Sequence, residues 1–149
     1  MARIWSSKLV RSYIAGFIDG EGSIGMHKRI RNGKASFVLH LSVVNTNKKV
    51  MEYIRDVIGF GTIRITNKNT NHFGYKPCYG LAYSHTQAKK IIKALYPYLI
   101  VKKKQAGIVI FLPKRYPGFQ PQNDKEVYAK QEQAYLKLKE IHGYRRKTK

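Results

Sequence analysis

An α+β fold, an antiparallel β-sheet with helices packed on one face, is the architecture this sequence predicts. Three observations predict it. The apolar period is helical up to about Ile18, becomes two after Gly22, and then repeats the cycle. Each period-two stretch is interrupted by turn or loop residues and returns on itself, as hairpins do. Between Gly22 and Met51, and again between Val57 and Asn123, there is no Asp or Glu, so one face of the strands is purely polar and basic. The order is helix, two strands, helix, two strands, helix, with further helical material behind it. A length of 149 residues fits one domain spanning 1–149, with a connector at 113–123 and a C-terminal helix and basic tail at 124–149.

Taken in order, the first helix runs from about Ser6 to Ile18. Ser6 or Ser7 can cap it, and Leu9, Val10, Tyr13, Ile14, Phe17 and Ile18 form its apolar positions. Gly16 and Gly20 lie four apart on one face. Glycine inside a helix costs about 1 kcal/mol relative to alanine, so the pair implies close backbone approach, either to the chain's own core or to another helix across a dimer axis. After Gly22, Ile24, Met26 and Ile30 alternate with Gly25, His27, Arg29 and Arg31 as a half-buried strand. Asn32-Gly33 is a two-residue hairpin signal. The returning strand sets Phe37, Leu39, Leu41 and Val43 on one face and Ser36, Val38, His40 and Ser42 on the other.

Asn45-Thr46-Asn47 can cap a helix from Lys48 to Ile58, which Gly59-Phe60-Gly61 ends. The second hairpin comprises Thr62 to Lys68, an Asn-rich loop, and Tyr75 to Tyr83. Thr62, Arg64, Thr66 and Lys68 share one face, opposite Ile63 and Ile65. In the returning strand Tyr75, Tyr79, Leu81 and Tyr83 oppose Cys78, Gly80 and Ala82, and the small residues are expected under the helices. Ser84 or Thr86 can cap the next helix, which Pro97 breaks near Tyr96. A helical piece follows through Phe111, then a connector marked by Pro113, Pro117, Gly118 and Pro121. Asp124 starts the last helix, to about Ile141, and Gly143 releases it.

The charge narrows the function. Lys plus Arg number 29 against 8 Asp plus Glu, a formal net charge of +21. Such self-repulsion calls for a polyanionic partner, and nucleic acid is the commonest. No apolar run is long enough to span a membrane, and no separate basic amphipathic helix points to a membrane surface. The lone Cys78 excludes an internal disulfide framework and a cysteine zinc site, favours a reducing intracellular setting, and is read as structural. No targeting signal is visible, which suits a prokaryotic cytoplasm or an organelle. The five histidines show no metal-ligand spacing and are read as surface or nucleic-acid contacts.

The basic strand face gathers His27, Arg29, Arg31, Ser36, Val38, His40, Ser42, Thr62, Arg64, Thr66 and Lys68. Arginine donates two bonds to guanine, and Ser, Thr and His are adaptable partners. A two-stranded ribbon fits the major groove of DNA. A strand rises about 3.3 Å per residue and duplex DNA about 3.4 Å per base pair, so one strand of eight residues can follow roughly eight base pairs.

Two acids interrupt this basic setting, Asp19 and Glu21. A carboxylate facing a phosphodiester is repelled unless a cation lies between them, which makes Glu21, and with it Gly20, the candidate metal positions. Asp19 is read as a hydrogen-bonding partner within the helix packing. One carboxylate per subunit becomes a pair if the helix with Gly16 and Gly20 lies on a twofold axis. Lys102, Lys103 and Lys104 are either a solvated run or include a lysine that stabilises charge at the scissile phosphate. Asn45 and Asn47 can cap the second helix or order water there.

Ile14-Ala15-Gly16-Phe17-Ile18-Asp19-Gly20-Glu21-Gly22 resembles the nine-residue signature of LAGLIDADG homing endonucleases, with Gly for Ala at the seventh position and conservative departures at the first, fourth and eighth. The element order agrees with that family over about residues 7 to 111, and Tyr98 to Ala106 resembles its later lysine-bearing segment. The resemblance implies a saddle-shaped antiparallel sheet on double-stranded DNA and motif helices meeting at a central interface, here with Ile14, Ala15, Gly16, Phe17, Asp19 and Gly20. It implies Mg²⁺-dependent cleavage of both strands of a long near-palindromic site, leaving short 3′ overhangs, by a homodimer; Mn²⁺ or Ca²⁺ substitutes for binding. Glu21 then corresponds to the metal-ligating acid, usually Asp, Lys102 to the active-site lysine, and Asn45 or Asn47 to the water-positioning residue. An intron-encoded setting is expected. The alternative is a nucleic-acid-binding protein of the same fold without cleavage activity, an RNA maturase or a transcription factor.

Overall fold

A computed structural model describes residues 6–66, 76–113 and 124–143. Helix α1 (Lys8–Glu21) opens on Ser7, whose Oγ accepts from the Val10 N–H at 3.3 Å. It carries one turn further than the apolar periodicity predicts, because the Gly22 N–H still donates to the Ile18 carbonyl. Gly22 then passes straight into strand β1 (Gly22–Arg31), and a Cβ there would lie 2.7 Å from the Ile18 oxygen, so only glycine makes this exit without displacing the helix end.

Strand β2 (Lys34–Asn45) pairs antiparallel with β1 from Arg31↔Lys34 to Gly22↔Val43. Asn32 and Gly33, with φ of 51° and 71°, form the two-residue turn their sequence predicts. Helix α2 (Lys48–Ile58) is capped by Asn47 and closed by Gly59 in the left-handed region. Strands β3 (Arg64–Ile65) and β4 (Tyr79–Ser84) complete a sheet of order β1-β2-β4-β3. Strand β3 is shorter than the predicted Thr62 to Lys68; Thr62 precedes it, and Lys68 lies outside the described residues.

Helix α3 (His85–Leu95) follows β4 directly, with Ser84 at its N-cap making no side-chain capping bond. Pro97 does not end the chain's helical path abruptly but sits in a 3₁₀ turn, Tyr96–Tyr98. Helices α4 (Lys103–Ile110) and α5 (Lys125–Ile141) complete the fold, α5 capped by Asp124 as predicted. The helices cover one face of the sheet, with Ile24, Phe37, Leu41, Leu81, Met51, Ile54 and Ile91 in the core between.

Strand β4 reverses the expected orientation. Register pairs Tyr83 with Leu41 and Leu81 with Val43, which puts the large residues under the helices and Gly80 and Ala82 on the opposite face. Burying Leu81 and Tyr83 removes far more apolar surface from water than burying Gly80 and Ala82 would.

Candidate nucleic-acid interface and hydrolytic site

Register fixes the face opposite the core, onto which the C-terminal end of α5 reaches beside Gly25 and His40. Directly paired residues share a side, so Ser23↔Ser42, Gly25↔His40, His27↔Val38, Arg29↔Ser36 and Arg31↔Lys34 all project away from the core. Across β4 the same side continues through Ser84 and Ala82, and in β3 through Arg64, which pairs with Gly80. Thr66 extends it, its N–H donating to the Cys78 carbonyl at 2.9 Å. His27, Arg29, Arg31, Ser36, His40, Ser42, Arg64 and Thr66 therefore come together as the sequence predicts. Val38 lies on this face but is 4 % exposed, so it is not an open contact position as expected.

Ser23, Lys34, Ala82 and Ser84 belong to the same face and are additional to the predicted set. For Ser23 and Lys34 the signal was present, since counting outward from Asn32-Gly33 fixes every β1–β2 pair. Ala82 and Ser84 depend on the pairing of β2 with β4, two strands that α2 and β3 separate in sequence. No turn chemistry fixes that register.

Helix α1 divides its two sides sharply. Ile14 and Ala15 are 0 % exposed, packed into the protomer's own core, which removes both from the predicted dimer contacts. The opposite stripe, Leu9, Tyr13, Gly16 and Gly20, is exposed at helical spacing, with Leu9 at 85 %. A Cβ on Gly16 or Gly20 would meet nothing within 4 Å. Packing within the protomer therefore does not require either glycine. Leu9 and Tyr13, expected in the core stripe, instead join the open one, where Tyr13 makes an edge contact with Tyr53 of α2 at 5.8 Å.

The end of α1 is stitched to the segment before α4. Asp19 Oδ2 accepts from the Ile100 N–H at 2.7 Å and Oδ1 from the Lys102 N–H at 2.9 Å, so Asp19 has the packing role expected of it. The Lys102 ammonium donates to the Asp19 backbone carbonyl. Helix α1 has no basic residue in its last turn, and Lys102 supplies the cation that the negative end of the helix dipole favours. Lys102 is thereby held beside the motif's C-terminal turn, two residues from Glu21.

Glu21 is exposed and, among the described residues, has no hydrogen-bond or ion-pair partner. An unpaired carboxylate at the negative end of a helix is a destabilising placement unless a cation joins it, and oxygen donors suit a hard divalent ion. The residues present therefore fit Mg²⁺ at this position. Among the described residues no cluster of three or more His, Cys, Asp or Glu offers another metal site.

Asn45 and Asn47 stand at the same end of the β1–β2 ladder as Glu21, beyond the pair Gly22↔Val43. Both carbonyl oxygens are engaged in capping: Asn45 Oδ1 accepts from the Asn47 N–H at 2.8 Å, and Asn47 Oδ1 from the Val50 N–H at 3.3 Å.

A family model described as LAGLIDADG endonuclease matches residues 14–112. The chain belongs to the LAGLIDADG endonuclease family. Solved LAGLIDADG structures share its fold. Homing endonuclease I-CvuI, in complex with the I-CreI target in the presence of Mg, is 22 % identical with a TM-score of 0.75, over 95 % of this chain and 87 % of that one. The archaeal intron-encoded homing endonuclease I-Vdi141I, complexed with DNA, is 18 % identical with a TM-score of 0.60 and the same coverage. I-SmaMI, bound to its uncleaved DNA target with calcium ions, is 18 % identical with a TM-score of 0.63, and this chain covers 50 % of it. No curated protein sequence matches the chain. Helix α5 lies beyond the matched residues. No helix among the described residues is long and apolar enough to cross a membrane.

Proposed function

We propose that this LAGLIDADG chain is a site-specific DNA endonuclease that acts as a homodimer and hydrolyses both strands of a long near-palindromic duplex with Mg²⁺. The observation that carries this reading is the exposed Glu21 carboxylate, unpaired among the described residues, at the end of the helix turn where Lys102 is bonded to Asp19 and at the margin of a sheet face on which every charged residue is basic. Against a DNA backbone that face gains counterion-release free energy, while Arg29, Arg31 and Arg64 are placed to reach base edges.

The exposed stripe of Leu9, Tyr13, Gly16 and Gly20 is the surface on which a second copy packs. Small residues let two α1 helices approach closely, and the twofold axis between them sets two copies of Glu21 side by side. Glu21 and the adjacent Gly20 would hold the metal. When bound, Mg²⁺ supplies Lewis acidity and neutralises charge at the scissile phosphate. Lys102, held by Asp19, stabilises negative charge developing on the phosphate oxygens. Asn45 or Asn47 orients water through its amide N–H₂, the carbonyl oxygens being used in capping.

Glu21→Gln keeps the shape of the side chain and removes its charge. It is expected to abolish cleavage of a duplex selected from a random library while preserving metal-free binding to that duplex. Cleavage by the variant at the wild-type rate would remove Glu21 as the metal ligand.

A further inference from the structure

We propose that His40 is a positioning residue for DNA recognition: seated in a niche over Gly25, its ring backs the ring of His27 and sets the angle at which His27 meets a base edge. The inference rests on the DNA-facing reading of the sheet given above and adds a division of labour within it.

The niche exists because residue 25 has no side chain. Gly25 is the direct partner of His40 across the β1–β2 ladder, and a Cβ there would lie 2.8 Å from His40 Cε1 and 3.2 Å from Nε2. With glycine in that place the imidazole lies across β1 and reaches the residue two further along. The His27 and His40 rings stack with centroids 3.9 Å apart and planes within 7° of parallel. His142, at the C-cap of α5, closes the niche, its Cε1 falling 3.6 Å from the same Cβ position.

The two rings are not equivalent. His27 is exposed, whereas His40 is half-buried and its Nδ1 is sealed from solvent without a hydrogen-bond partner. Nδ1 so placed does not address a base, and the plane of the ring is turned to its neighbour. Face-to-face stacking of two imidazolium ions would be repulsive. Burial, together with His27 and His142, pushes His40 down to about 4, so it stacks as a neutral ring at pH 7. Lys28 and Lys139 line the same groove, and among the described residues no acid lines it. Holding His27 in one orientation before binding lowers the entropy lost when it docks, and it does so through α5, the helix beyond the family match.

The test is a base-preference profile over every position of the selected target, measured for the wild type, His27→Ala, His40→Ala, His40→Phe and the double alanine variant. His27→Ala is expected to lower discrimination at one position of each half-site by about fivefold. His40→Ala should lower it at the same position by a similar factor, and the double variant no further than either single one. His40→Phe, which retains a plane, should stay within about twofold of the wild type. Losses that multiply, or that fall at different positions, would show His40 contacting DNA itself and overturn the inference, as would an unaltered profile for His27→Ala or a His40→Phe profile like that of His40→Ala. If His40→Ala does not fold, His40→Gln replaces it with the same criteria. A wild type with no preference among duplexes would instead remove the DNA reading of the sheet, and this inference with it.

Discussion

Replacing Asp19 with alanine tests the link between the motif helix and Lys102. The carboxylate takes two backbone N–H groups, Ile100 at 2.7 Å and Lys102 at 2.9 Å, and so anchors residues 81 and 83 positions away in sequence to the last turn of α1. Hydrogen bonds to an ionised group contribute about 1.5 to 3 kcal/mol each. Ile100 is exposed, so its N–H regains water when the carboxylate is removed and its bond counts toward the lower limit. The Lys102 bond is partly buried and counts nearer the middle. The expected loss is about 4 kcal/mol, or roughly 8–16 °C in Tm for a chain of this size. Equilibrium urea unfolding at fixed protomer concentration measures it, since dimerisation makes apparent stability concentration-dependent. Cleavage should fall by more than stability explains under conditions where the variant is fully folded, because Lys102 loses its anchor. Asp19→Ala within about 0.5 kcal/mol of the wild type would refute the anchoring role, that being the ordinary scatter of surface substitutions.

Gly16→Leu should leave the protomer folded, because a Cβ at residue 16 meets nothing within 4 Å, yet block dimerisation; sedimentation velocity should show a monomer where the wild type sediments as a dimer. The pH dependence of stability carries a sign fixed by His40. Its folded pKa, about 4, lies below the ordinary 6.5, so between those values the unfolded chain binds more protons, and the stabilisation present above pH 6.5 is lost as pH falls toward 4. His40→Phe should flatten the slope of the denaturation midpoint in that window. Asn47→Ala should cost about 1 kcal/mol through the lost α2 cap, measured by urea unfolding. Cleavage unchanged in the folded variant would leave water positioning to Asn45.

Local chemistry determined much of this protein before any tertiary contact was known. Ser7, Asn47 and Asp124 cap the helices they precede because a short polar side chain satisfies N–H groups that have no partner inside the helix. Asn32-Gly33 fixed the β1–β2 register because only residues tolerant of positive φ close so short a turn, and with that register came His27, Arg29, Arg31 and the rest of the first hairpin's open face. The motif at Ile14–Gly22 was legible as a linear pattern, as was the family it marks. What tertiary structure decided are matters of side and distance. Whether Gly16 and Gly20 faced the core or the outside depended on how α1 rolls against the sheet, since apolar residues ring more than one side of it. The orientation of β4 depended on the volume available under the helices, which no period-two pattern contains. The bonds from Asp19 to Ile100 and Lys102, and the stack of His40 on His27 over Gly25, join residues that only the folded chain brings within reach, and the first of these ties Lys102 to the last turn of the motif helix.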